Sequence, residues 1–105
     1  MRIERYQSAN GRVPFKEWLD SLDAQHRVAV NRRIFVLENC DHVGDCRSIR
    51  DGLFELRLLG LGLRIYFARR GPKVVLLLGG SDKGSQQRAI RLARNRLREF
   101  KERSP

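Results

Sequence analysis

Apolar residues recur along the chain with two different periods, and the change from one to the other divides it into halves. In the first half the spacing is helical. Phe15, Trp18, Leu19 and Leu22 stand at i, i+3, i+4 and i+7, one apolar stripe of a helix that Pro14 can open at its first turn. Ahead of it, residues 2–7 read as a short strand broken at Asn10-Gly11. Asp23 can cap a second helix running to about Asn39, with Val30, Ile34 and Leu37 on its inner face. Cys40 to Asp51 reads as a polar loop.

From Leu53 onward the period becomes two. Phe54, Leu56 and Leu58 alternate with Glu55 and Arg57, and Leu63, Ile65 and Phe67 alternate with Arg64 and Tyr66. Between the two runs lies Leu59-Gly60-Leu61-Gly62, whose glycines permit the positive φ of a hairpin turn. With Gly60-Leu61 as the turn and Leu59 facing Gly62, the pairs are Phe54–Phe67, Leu56–Ile65 and Leu58–Leu63 on one face. Glu55–Tyr66 and Arg57–Arg64 then share the other face. A register slipped by one residue would destroy this agreement. Arg69 to Lys73 is a second turn, Val74 to Leu78 an apolar central strand, and Gly79 to Ser85 a loop. Ser85 can cap a last helix to about Lys101, with Ile90, Ala93, Leu97 and Phe100 on one face and Arg88, Arg91, Arg94 or Asn95, and Arg98 on the other. The order is β-α-α-β-β-β-α, an α+β fold with a small antiparallel sheet, two N-terminal helices and a C-terminal helix, in a single domain of residues 1–105.

Charge sharpens this picture. Lys and Arg number 22 against 12 Asp and Glu, a net charge of +10. Residues 1–50 hold 9 basic and 7 acidic side chains, whereas residues 51–105 hold 13 and 5. The excess therefore gathers where the alternating strands and the last helix fold. It is nearly all arginine, whose planar fork suits phosphate, although an arginine-rich genome would give the same preference. An anionic partner is implied, whether RNA, DNA or an acidic protein. The longest apolar run, Val74 to Leu78, falls far short of the ~20 residues of a membrane span. Met1 to Tyr6 lacks the apolar run of a secretory signal, so the cytoplasm is the expected compartment, with no membrane partner.

Few groupings could carry chemistry. Cys40 and Cys46 enclose His42, but a zinc site needs a fourth ligand and a closer cysteine pair, so two loop thiols are expected and no metal. Arg57 facing Arg64 makes sense if an anion lies between them, as a phosphate or a phosphoryl-transfer transition state would. Equally, each could pair with a neighbour such as Glu55 on a solvated face. Lys83 stands in a loop that leaves a buried strand and enters a helix, a place where backbone amides attract phosphate. No G-x-x-x-x-G-K-[ST] motif is present, and no cofactor is expected. His26 and His42 lie apart from the clamp, and no Ser-His-Asp or paired-carboxylate group is visible. The Arg88, Arg91 and Arg98 row could line a nucleic-acid groove, meet an acidic protein, or simply face water.

Gly52-Leu53-Phe54-Glu55-Leu56-Arg57, Gly62-Leu63-Arg64-Ile65-Tyr66-Phe67, and Leu76 to Lys83 with Gln86 resemble the addiction-module killer proteins, the HigB-like, phage-derived branch of the RelE/ParE toxins. Val13-Pro14-Phe15 and Trp18-Leu19 are similar too, so the resemblance spans about residues 1–100. It implies a RelE-like fold and the toxin of a type II toxin–antitoxin module, an mRNA-cleaving endoribonuclease acting on the ribosome. Its implied partners are mRNA, the ribosome and a cognate helix-turn-helix antitoxin from an adjacent gene. Transfer of the family's positions makes Arg57, Arg64 and Lys83 catalytic. The two arginines would stabilise the phosphorane, and Lys83, alone of the three, could move a proton. Arg88, Arg91, Arg98 and Tyr66 are the candidate RNA contacts. The sequence departs from its relatives at three points: the last helix offers only Phe100 in place of a late Tyr or His, Leu63 replaces an aromatic, and Gly84 replaces a Ser or Thr. Two other readings are open, a ParE-like toxin that inhibits DNA gyrase by contact and a basic RNA-binding domain.

Overall fold

The computed structural model describes residues 1–40, 46–58 and 60–104. Its elements run β1 (Arg2–Arg5), α1 (Pro14–Ser21), α2 (Ala24–Cys40), β2 (Cys46–Ser48), β3 (Leu53–Leu58), β4 (Leu63–Arg70), β5 (Val74–Ser81) and α3 (Gln86–Arg103). His42, Leu59 and the side chain of Cys40 lie outside the described residues.

Local chemistry accounts for most of these boundaries. Pro14 occupies the first turn of α1, where its missing N–H costs nothing. Phe15 and Leu19 are buried one turn apart. Asp23 caps α2 by accepting the backbone N–H of His26 at 2.8 Å. Gly60 and Gly62 hold φ values of +84° and +70° in the β3–β4 turn, a conformation that L side chains resist.

The five strands form one sheet in the order β1-β5-β4-β3-β2. Strands β3 and β4 pair antiparallel with Phe54 opposite Phe67, Leu56 opposite Ile65 and Arg57 opposite Arg64, the register that the alternation predicts. Three features differ from the sequence reading. The sheet is mixed, because β1 joins β5 in parallel, with Arg2 opposite Val74. Parallel strands need a long connection, and nothing local in residues 2–7 marks so distant a partner. The second difference is β2, a three-residue edge strand within the expected polar loop, with Arg47 opposite Glu55. It is too short to show a period. The third is the length of β5, which continues through Gly79 and Gly80 to Ser81. Gly80 lies beneath the Trp18 ring, where a Cβ would come within 2.4 Å of the indole, so this strand position accepts no side chain.

Helices cover both sheet faces. On one, Phe15, Leu19, Val30 and Leu37 of α1 and α2 pack against Leu56, Ile65, Phe67 and Leu77. On the other, Ala93 and Leu97 of α3 pack against Leu53, Tyr66, Leu76 and Leu78. Among the described residues, no helix is long and apolar enough to cross a membrane.

Candidate functional site

On the α3 side of the sheet the pleat turns from apolar to polar as it approaches the β3–β4 turn. Leu53 and Ala68 pair first and are buried. Next comes the row Glu55–Tyr66–Gly79, and then the row Arg57–Arg64–Ser81, each crossing β3, β4 and β5. The register thus brings both predicted arginines to facing positions at the end of the sheet where β5 leads toward Lys83.

Glu55 is the centre of this polar patch. Its side chain is completely buried, so its charge must be met from within. Arg47 on β2 donates its Nε–H to Oε1 at 3.2 Å, and Gln86 at the start of α3 donates its amide N–H to Oε2 at 2.8 Å. The Nε of Arg64 lies 3.7 Å from the same Oε2. The Arg64 side chain is only 13% exposed, and its Nε is sealed from solvent without a hydrogen-bond acceptor. At its outer edge Nη1 reaches toward the carbonyl of Gly62 at 3.5 Å. Of the two readings left open for the arginine pair, Arg64 thus shows the ion pair with Glu55. Arg57 has different surroundings. It is exposed and borders a groove of about 440 Å³ between α2 and the β3–β4 turn, together with Arg32, Arg33, Leu58 and Leu61.

Tyr66 requires a correction. Expected to meet RNA, it is completely buried, and its hydroxyl lies 2.9 Å from the Ser81 hydroxyl. Burial pushes its pKa up, so it stays a neutral phenol. A ring enclosed between α3 and the sheet is not presented for base stacking. The alternation of β4 makes it read as a wet-face residue, and it is interior because α3 covers that face.

The loop after β5 also differs from expectation. Ser85 occupies the N-cap position of α3 but makes no side-chain cap. Asp82 Oδ1 instead accepts both the backbone N–H and the hydroxyl of Ser85, each at 2.9 Å. These hydrogen bonds hold the Asp82 carboxyl below its usual pKa. Lys83 is exposed on this loop and borders a groove of about 460 Å³ with Gln86, Gln87, Arg88 and Arg91. Lys83 is therefore grouped with two of the helix arginines rather than with Arg57. Arg98 is exposed farther along α3, beside Arg94, Lys101 and Asp51. Arg96 turns inward and donates to the Leu78 carbonyl at 2.9 Å, and burial lowers its pKa.

Sequence reasoning gave no role to Arg47, Ser81 or Gln86 and saw Glu55 only as a possible neighbour. Glu55, Ser81 and Gln86 are all among the residues that carry the family resemblance, but their grouping, and that of Arg47, depends on strand pairings and on α3 lying over the sheet. Among the described residues, no group of three or more His, Cys, Asp or Glu is placed to hold a metal ion. Chemically, the cationic side chains of Arg57 and Arg64 at this end of the sheet, with Lys83 on the loop beyond β5, are of the kind that suits an anionic group.

Comparison with known proteins agrees with this architecture. Residues 17–98 match the family described as Phage derived protein Gp49-like (DUF891). A Haemophilus influenzae protein described as uncharacterized is 37% identical over 84 residues, covering 78% of this chain and 84% of its own. Among solved structures, the RelB-RelE antitoxin-toxin complex from Methanococcus jannaschii contains a chain that superposes with a TM-score of 0.60. The superposition covers 84% of this chain and 96% of that one at 12% identity, a likeness of fold.

Proposed function

From the premise that this chain belongs to the phage-derived Gp49-like family, we propose that it is the toxin of a type II toxin–antitoxin pair and cleaves mRNA on the ribosome. The observation that carries the reading is the row Arg57–Arg64–Ser81 at the end of a RelE-like sheet, with Lys83 two residues beyond Ser81. A sheet end built this way suits the charge that develops when an RNA 2′-hydroxyl attacks the adjacent phosphate.

In that reaction a 2′ oxygen–phosphorus bond forms, the bond from phosphorus to the 5′ oxygen breaks, and a cyclic phosphate and a 5′-hydroxyl remain. Arg57 and Arg64 stabilise the pentavalent phosphorane. Lys83 delivers a proton to the departing 5′ oxygen, since arginine holds its proton too tightly. The proton leaving the 2′-hydroxyl goes to a group of the ribosome, because α3 supplies neither Tyr nor His. Arg88 and Arg91, which share a groove with Lys83, follow the RNA backbone, and Arg98 extends the row. The cognate partner is a helix-turn-helix antitoxin with an acidic segment that meets this basic surface in the cytoplasm. Support for an antitoxin comes from the Methanococcus jannaschii neighbour, which was solved as an antitoxin-toxin complex.

A translation extract with capture of mRNA 5′ ends tests substrate and activity together. New 5′ ends are expected with the native protein and are expected to vanish with Arg64→Ala and Lys83→Ala. If those two variants fold normally and still arrest growth fully, the nuclease reading gives way to inhibition of DNA gyrase by contact.

A further inference from the structure

Among the described residues Glu55 is the only acidic side chain with no exposure, and it is fixed from two directions. Arg47 holds one carboxylate oxygen from the edge strand, and Gln86 holds the other from α3. The contact with Arg64 is of another kind. At 3.7 Å it is close enough for an ion pair but longer than a hydrogen bond, and the Nε–H of Arg64 has no other acceptor. A buried N–H left unmade is unfavourable, so a shift of less than about 1 Å that brought Nε onto Oε2 would be downhill. Glu55 is the anchored member of this pair and Arg64 the adjustable one.

A structural ion pair would gain nothing from an incomplete contact, and an apolar pair of similar volume would stabilise the sheet as well. The geometry makes sense if Arg64 completes its contact with Glu55 when its outer Nη edge takes up a phosphate. Glu55 would also supply the counter-charge that lets Arg64 stand opposite Arg57 before any phosphate arrives. We propose that Glu55 is the positioning residue for Arg64: it grips the guanidinium by its inner Nε side and turns the Nη edge toward the scissile phosphate. This rests on the nuclease reading, and it adds a carboxylate that never touches the RNA.

The experiment compares native protein with Glu55→Gln and Glu55→Asp, reading cleavage per folded molecule and the Arg64 Nε–H resonance by NMR. Glu55→Gln keeps the shape and loses the charge. It should lower kcat by roughly 10–100-fold, the scale of a misplaced catalytic group, with KM unchanged or lower. Glu55→Asp keeps the charge and opens a gap. It should be the less stable of the two and yet cleave faster than Glu55→Gln. The Arg64 Nε–H resonance should shift on addition of inorganic phosphate to the native protein, and that response should be lost in Glu55→Gln. Cleavage that simply follows stability across the three proteins would overturn the proposal. If the native protein cleaves no RNA, the nuclease reading fails on its own. The positioning role then stands or falls by whether Glu55→Gln changes the Arg64 resonance and its response to phosphate.

Discussion

The two faces of the sheet are both covered by helices, yet they are made differently. Under α1 and α2, Leu56, Leu58, Leu63, Ile65, Phe67, Val75 and Leu77 pack into one apolar cluster with Phe15, Leu19, Val30 and Leu37 of the helices. Under α3, an apolar patch around Leu53, Leu76 and Leu78 gives way to Glu55, Tyr66, Ser81 and Arg64. The same three strands, β3, β4 and β5, supply both faces. The difference teaches which changes each face can absorb. A face that packs by volume tolerates swaps of similar size, whereas a face with buried hydrogen-bonded pairs loses stability when one member of a pair is removed and the other is left unsatisfied.

Truncation of the packing face should have the largest effect. Phe67 stacks on Phe54 with ring centroids 5.4 Å apart and is completely buried. Phe67→Ala should lower the free energy of unfolding by about 3–5 kcal/mol in denaturant titrations. A loss under about 1 kcal/mol would mean that this face is not the main core. Next in size is Arg64→Ala on the other face. Its melting should stay near that of the native protein, because Glu55 keeps Arg47 and Gln86, while RNA cleavage falls by roughly 10²–10³. Arg64→Lys should recover part of this, since an ammonium keeps the charge but not the fork.

Smaller effects sharpen the contrast. Tyr66→Phe strands the buried Ser81 hydroxyl and should cost about 1–3 kcal/mol. Adding Ser81→Ala should return much of that loss, because removing both partners leaves no polar atom unsatisfied. A double change as costly as the sum would show that the pair is not coupled. On the outside of α3, Arg88→Ala with Arg91→Ala should weaken RNA binding and reduce its dependence on salt. The slope of log K against log salt should fall by about 0.7 for each lost phosphate contact on a single strand. An unchanged slope would assign those arginines to solvent.

The smallest effect concerns acid. The carboxyl of Asp82 is depressed by its hydrogen bonds to Ser85, so its contribution is present above its unfolded pKa and is lost as pH falls through its lower folded value. Native protein and Asp82→Asn should therefore differ in melting temperature near neutrality by a few degrees at most, and the gap should close below about pH 4. A gap that persists at pH 2 would mean that Asp82 acts on α3 by something other than its charge. Glu17 and Asp20 are depressed as well, which is why the measurement is a difference between two proteins.

Much of this contrast is legible in the sequence, but unevenly. Phe54–Phe67 and Arg57–Arg64 can be paired from the chain alone, because both strands alternate and Gly60 and Gly62 fix the turn between them. The faces of α1, α2 and α3 follow from helical spacing in the same way. Long-range consequences are not written locally. Glu55 and Tyr66 occupy polar positions of an alternating strand, and only the placement of α3 makes them interior. Ser85 makes no cap, because its hydroxyl and N–H are both taken by Asp82 where the loop turns back on itself. For the site, the sequence names Arg57, Arg64 and Lys83 but not the Arg47–Glu55–Gln86 support, which joins β2, β3 and α3 through pairings visible only once folded.

The pairing of β1 with β5 has a bearing on when the protein becomes whole. Arg2 lies against Val74, so the first strand made has no partner until 72 further residues have been added. At the usual pace of about 5–20 residues per second, that wait is roughly 4–14 s. Throughout it the edge of β1 is unpaired, whereas β4, which carries Arg64, ends at Arg70 and waits only four residues for β5 to begin at Val74. Contacts so far apart in the chain also close slowly once both strands exist. The polar end of β4 and β5, where Arg64 stands opposite Ser81, is therefore among the last parts of the sheet to be assembled.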